Sequence, residues 1–114
     1  MSDLSFNMLR RTNVARCETA YHPVAAWSPT DWACAMAGEA GEACNVVKKI
    51  RRLDSSPHIA HEESATLHRH AADEIADMVI YADLLAARLG IDLGEAVRRK
   101  FNATSRKVGS EEFL

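Results

Sequence analysis

Gly38-Glu39-Ala40-Gly41-Glu42-Ala43-Cys44-Asn45-Val46-Val47-Lys48-Lys49 sets two glutamates one helical turn apart inside a run of mostly apolar and small residues. Downstream, Asp73-Glu74-Ile75-Ala76-Asp77-Met78-Val79-Ile80-Tyr81 repeats the spacing with Glu74 and Asp77. At about 100° of rotation per residue, the members of each pair lie about 60° apart, on one side of their helix. Trp32, Met36, Ala43, Val46 and Ile50 flank Glu39 and Glu42 on that side, so Glu39 points toward packing rather than bulk water. A buried, unpaired carboxylate costs several kcal/mol or takes up a proton. Acids placed among core positions therefore demand compensating positive charge.

Working outward, apolar positions from Ser5 to Thr19 recur with a helical period, and Pro23 breaks the pattern across Tyr21 to Ser28, an expected ordered loop. Ser28-Pro29-Thr30-Asp31 suits a helix start: a capping hydroxyl, a proline at the first helical position and an acid in the first turn. That second helix should run to about Arg51. The polar stretch from Arg52 to about Ala65 reads as the one long connection, and a third helix is expected from near Thr66 to a stop at Gly90. Asp92-Leu93-Gly94-Glu95 has the form of a capping box opening a fourth helix that ends near Gly109, with the tail Ser110 to Leu114 expected to order against a partner chain. No segment alternates with period two, so the fold class is all-α with four helices, in a single domain over residues 1–114.

A formal charge of -2, from 14 Lys+Arg against 16 Asp+Glu, argues against a general nucleic-acid binder. Cys17, Cys34 and Cys44 are odd in number and lack a C-x-x-C pattern, which suggests reduced, buried thiols in a cytoplasmic protein. Neither an apolar leader nor a membrane-length apolar run is present, so a soluble protein without a membrane partner is expected. Gly38 and Gly41 each sacrifice about 1 kcal/mol of helix propensity relative to alanine, which suggests close approach of a backbone or a ligand.

If the second and third helices pack side by side, Glu39, Glu42, Glu74 and Asp77 converge. Roughly two or three hard divalent cations would offset their repulsion, and an all-oxygen donor set suits Mg²⁺ or Mn²⁺ better than zinc. Mg²⁺ joins carboxylates to substrate phosphates, so the implied substrate is a polyphosphate. Solvated acids on two amphipathic helices are the plainer alternative. A di-iron bundle would want Glu-x-x-His on each of two helices, and neither pair ends in histidine. His58, His61, His68 and His70 are loosely spaced with no cysteine nearby, which disfavours zinc.

With these residues in hand, the chain resembles the all-alpha nucleoside triphosphate pyrophosphohydrolases of the MazG-like superfamily. Those enzymes carry E-x-x-E on one helix and E-x-x-D on the next, matched here in order by Glu39, Glu42, Glu74 and Asp77. The likeness runs from Trp32 to about Gly109. It implies a four-helix MazG-like bundle, assembled as a homodimer or homotetramer, that hydrolyses a (d)NTP to the monophosphate and pyrophosphate. It also implies that all four carboxylates hold metal, with Glu39 or Glu42 taking the proton of the attacking water. Lys49 is placed to meet a phosphate, and Tyr81 matches a tyrosine near the substrate sugar in related enzymes. Lys100-Phe101-Asn102 looks like the ending of phage-type members, which makes Lys100 and Asn102 candidate phosphate or sugar contacts, although some members space the asparagine differently. Aromatic side chains collect around the base in relatives, which points to Trp27 and His22. The phage-like ending suggests a purine deoxynucleotide, dGTP as in MazZ-like enzymes. A pyrimidine-specific dUTP or dCTP hydrolase and a noncatalytic oligomeric nucleotide-binding or interaction protein are the alternatives.

Overall fold

Ser5 ends the extended entry of the chain, and its hydroxyl accepts the Met8 N–H at 3.1 Å, so helix α1 runs Phe6–Arg16. The computed structural model describes residues 2–54 and 61–114, with side chains from 63 onward in the second stretch. Beyond α1 the pitch widens to a π-helical turn, Cys17–Tyr21, closed by the His22 N–H on the Cys17 carbonyl at 2.9 Å. His22, ahead of Pro23, is extended (φ -160°, ψ 163°), as a residue preceding proline favours. A single 3₁₀ turn, Val24–Ala26, then leads to α2, Pro29–Asp54, which begins at the proline as its fixed φ allows. α3 spans His61–Arg88 and α4 spans Leu93–Val108; no strand occurs among the described residues.

Two boundaries differ from expectation. α2 continues past Arg51 to Asp54, and α3 begins at His61, more than a turn ahead of Thr66. Polarity suggested a loop, but Arg52, Leu53, Glu63 and Ala65 are good helix formers, so solvated helix ends replace much of it. Residues 55–60 of the expected connection, His58 included, lie outside the described residues, as does the side chain of His61.

Contacts divide the chain into two compact units, Met1–Ser28 with Asp83–Leu114, and Pro29–Ala82. In the first, Asp83 is fully buried (0% exposed) yet charged. It is satisfied by α1: Arg10 Nε donates to its Oδ1 at 2.9 Å and Asn13 Nδ2 to its Oδ2 at 3.0 Å, from residues one turn apart on the same face. The same guanidinium donates to the Ile91 carbonyl at 2.8 Å, tying α1 to the turn after α3. That turn is a Schellman stop: Gly90 takes a left-handed φ of 69°, with Ile91 N–H on the Ala86 carbonyl at 2.8 Å. α4 starts on Asp92, whose side chain accepts the Glu95 N–H at 3.1 Å, and ends on Gly109 (φ 73°) with Ser110 N–H on the Ser105 carbonyl. Gly94 lets α1 and α4 approach, since a Cβ there would lie 3.1 Å from that of Phe6.

The tail lies against α4 of its own chain. Asn102 on α4 accepts the Leu114 N–H at 2.9 Å and donates to the Leu114 carbonyl at 3.2 Å, and Arg106 lies over the Phe113 ring.

In the second unit, α2 and the first part of α3 form an antiparallel hairpin around Trp32, Ala43 and Ala71, all buried. With Glu39 facing Glu74, residues about 100° further round fall on one flank of both helices. That flank holds Ala40, Cys44 and Val47 of α2 with Ala72, Ile75 and Val79 of α3. It is left open: Val47 and Ile75 are each 49% exposed. The expectation of buried thiols is corrected here, because Cys34 and Cys44 are exposed on a helix that buries mainly one side, and only Cys17 is enclosed. Gly38 and Gly41 admit no close neighbour from the described residues; a Cβ at either would meet nothing within 4 Å.

Arg10→Ala should cost about 3 kcal/mol or more, because it strands a buried carboxylate. Urea unfolding followed by circular dichroism measures it, and a loss below about 1 kcal/mol would contradict the assigned role of the pair.

Candidate functional site

The hairpin register places the acids. Trp32, 2% exposed, packs its ring 6.2 Å from that of Tyr81. Seven residues along α2 from Trp32 stands Glu39, and seven residues back along α3 from Tyr81 stands Glu74. Equal steps of two turns on antiparallel helices bring these glutamates face to face. Asp77, one turn after Glu74, completes the group: carboxylate oxygens of Glu39, Glu74 and Asp77 all lie within 4.8 Å of one another.

Two of the oxygens, Glu39 Oε2 and Glu74 Oε2, are buried without a hydrogen-bond partner. Such atoms are rare in folded proteins because each forfeits its hydration. The electrostatic consequence appears on Glu39, whose carboxyl is raised from 4.5 to about 7. A hydrogen bond shared with Glu74 is the largest cause, followed by burial, and the charges of Glu42 and Asp77 add to it. Protonation of Glu39 would relieve part of the repulsion. A hard divalent cation would relieve it more fully: the donors are all carboxylate oxygens, which suit Mg²⁺, Mn²⁺ or Ca²⁺ rather than a thiolate-seeking metal. Residues and orphaned oxygens alike fit such an ion.

Glu42 stands apart from the trio. It is exposed, yet close enough to Glu39 to push its pKa upward by charge and hydrogen bonding. Lys49 is not brought to the acids: ten residues beyond Glu39, it is about 15 Å away along α2. It lines an open groove of about 540 Å³ with Arg52, Leu53, Glu63, Thr66 and Leu67. Tyr81 is half-buried against Trp32.

The remaining sequence-derived candidates belong to the other unit. His22 and Trp27 pair their rings at 4.7 Å, tilted by 34°. Lys100 is exposed on α4, beside Val97, Phe101 and Thr104. Asn102 spends both ends of its amide on Leu114. Of the histidines, His68 turns its Nδ1 to the Ser64 carbonyl at 2.7 Å within its own helix, and the one metal-competent cluster among the described residues contains no histidine. The reading of the residues missed Asp83, Glu18 and Arg88, whose partners lie far away in sequence or in an irregular loop.

A model described as the MazG-like family matches residues 49–113, more than half of the chain, including Glu74 and Asp77 but starting after Glu39 and Glu42. No curated protein and no solved structure matches the chain.

Because Glu39 binds its proton more tightly folded than unfolded, its stabilising contribution is complete below about 4.5 and is lost as the pH rises through about 7. Metal-free protein should therefore unfold at lower urea in mildly alkaline than in mildly acidic buffer. Glu39→Gln should flatten that slope, and Mn²⁺ should restore the parent at alkaline pH. An identical slope in Glu39→Gln would remove Glu39 as its source.

Proposed function

The chain belongs to the MazG-like family, and from that premise we propose that it is a metal-dependent nucleoside triphosphate pyrophosphohydrolase. The observation that carries the reading is the meeting of Glu39, Glu74 and Asp77 within 4.8 Å, with two of their oxygens buried and unpartnered. Mg²⁺ or Mn²⁺ bound there supplies the positive charge that a triphosphate and its departing pyrophosphate require. Glu39, Glu74 and Asp77 fix where that charge sits, because each is mounted on a helix and none on a loop.

Glu42 is the residue we assign as general base. Exposed beside the trio, it can accept a hydrogen bond from water and take its proton as the oxygen attacks the α phosphorus. The bond from the α phosphorus to the bridging oxygen then breaks and pyrophosphate leaves. Glu39 suits the role less well, being engaged with Glu74. The favoured substrate is a purine deoxynucleotide such as dGTP, on the likeness of Lys100-Phe101-Asn102 to phage-type members.

We further propose that the chain works as a homodimer or homotetramer. The uncharged flank of Val47, Ile75 and Val79 supports this, since soluble monomers rarely leave such a surface open.

Incubation with each (d)NTP and Mg²⁺ or Mn²⁺ should release monophosphate and pyrophosphate; orthophosphate alone would sink the claim, and no turnover would favour a noncatalytic binding protein. Glu42→Gln should lower kcat by at least about a hundredfold while the helical spectrum and Mn²⁺ binding persist. Ile75→Glu should dissociate the assembly in sedimentation equilibrium, whereas a monomeric parent chain would refute the oligomer.

A further inference from the structure

Glu42 and Asp77 mark the side of the α2–α3 hairpin on which the acids open. With Glu39 facing Glu74, each stands about 60° round its helix from that contact, and on antiparallel helices equal rotations fall on one side. Away from Trp32, the same side of α3 next carries His70, one turn before Glu74, and then Thr66, one turn before His70. On α2 it carries Lys49, two turns after Glu42. Thr66 and Lys49 both line the groove of about 540 Å³ at the end of the hairpin. The groove therefore lies on the side where the acids open and continues their face. Along this side the charge reverses. Glu42, Asp73 and Asp77 occupy the part beside the trio, and beyond them come Lys49, Arg69 and His70, all exposed. Arg69 has Asp73 one turn ahead on its own helix as an ordinary ion-pair partner. It turns back instead, donating from Nη2 to Thr66 Oγ1 at 3.1 Å, which carries its guanidinium toward the groove. Of the described residues lining the groove, Glu63 alone is acidic.

We propose that Arg69, His70 and Lys49 bind the two outer phosphates of the triphosphate, so that the substrate lies along the hairpin with its terminal phosphate toward the groove and the departing pyrophosphate is held there. This rests on the reading of the acids as the metal-bound site of cleavage. As the bond to the α phosphorus breaks, negative charge gathers on the pyrophosphate, and donors already placed where it gathers favour that step. The three side chains supply complementary donors: a guanidinium fork that matches a phosphate, an imidazole N–H, and an ammonium on a long flexible stem. His70 stands nearest the acids, about 6 Å from Glu74 along α3, and Lys49 stands farthest, about 10 Å beyond Glu42 along α2. In the other direction the same side carries Ala35, Asp31 and Ile80, none of them a cation. The direction of the substrate follows from that asymmetry, since an anionic tail is drawn to the end that holds the positive charge.

Calorimetry on the full chain with Mg²⁺ present separates the two ends of the substrate with two probes: inorganic pyrophosphate, which has no nucleoside, and dGMP, which has no pyrophosphate. Arg69→Ala and His70→Ala should each weaken pyrophosphate about tenfold and leave dGMP within about twofold of the parent. Arg69→Lys keeps the charge and gives up the fork, and it should recover part of the loss. Mn²⁺ binding, followed by electron paramagnetic resonance, should be unchanged in all three variants. Pyrophosphate bound as tightly as by the parent in both alanine variants would overturn the inference. Weakening of dGMP alone would overturn it too, by placing the nucleoside in the groove. Loss of Mn²⁺ together with pyrophosphate would make these residues supports of the hairpin, again contradicting a phosphate contact. A parent chain that binds no Mn²⁺ would remove the metal site on which the inference rests. Because binding rather than turnover is read, failure of the hydrolase reading would show separately, in the product assay.

Discussion

Repulsion among Glu39, Glu74 and Asp77 is the constraint around which the α2–α3 hairpin is arranged. Two unit charges 4.8 Å apart repel by about 3 kcal/mol at an effective dielectric constant of about 20, and three such groups meet here. Helices hold them together regardless, because Trp32 against Tyr81 sets the register about two turns away on one side and the buried Ala43 and Ala71 about one turn away on the other. A solvated surface cluster would relax by swinging its side chains outward. This one keeps Glu39 Oε2 and Glu74 Oε2 buried and instead raises Glu39 to about 7. The arrangement is costly in the bare chain and favourable once positive charge is supplied.

Asp83 makes the comparison within the same molecule. It is more deeply buried than any acid of the cluster, and it meets a guanidinium and a carboxamide that leave neither oxygen unpaired. The chain thus contains a structural carboxylate with its cation built in and a group of carboxylates without one. That contrast, more than burial alone, separates a lock from a site. The lock serves the fold by joining α1 to the end of α3 and, through Ile91, to the turn into α4.

Local rules were legible in the sequence. Ser5, Pro29, Asp92, Gly90 and Gly109 each act through a few neighbouring backbone groups, and each stands where a capping hydroxyl, a fixed φ or a left-handed residue is required. The paired acids were legible too, since their spacing is a helical turn. Long-range partners were not. Nothing in the vicinity of Asp83 announces Arg10 and Asn13, which are 73 and 70 residues away. Cys34 and Cys44 were misjudged because an apolar arc reads the same whether this chain or something else covers it. Thr66 was a late start for α3 because polar helix ends and polar loops share a composition. The contact of Asn102 with the tail residue Leu114, twelve positions on, was another long-range partner that the motif around it did not announce.

The central claim, that the acids of α2 and α3 form a divalent-cation site, is tested most directly by anomalous diffraction from crystals soaked in Mn²⁺. The account predicts a manganese peak bounded by Glu39, Glu74 and Asp77, at about 2.2 Å from their oxygens. Crystals that bind Mn²⁺ elsewhere and show no peak there, at neutral or alkaline pH, would contradict it.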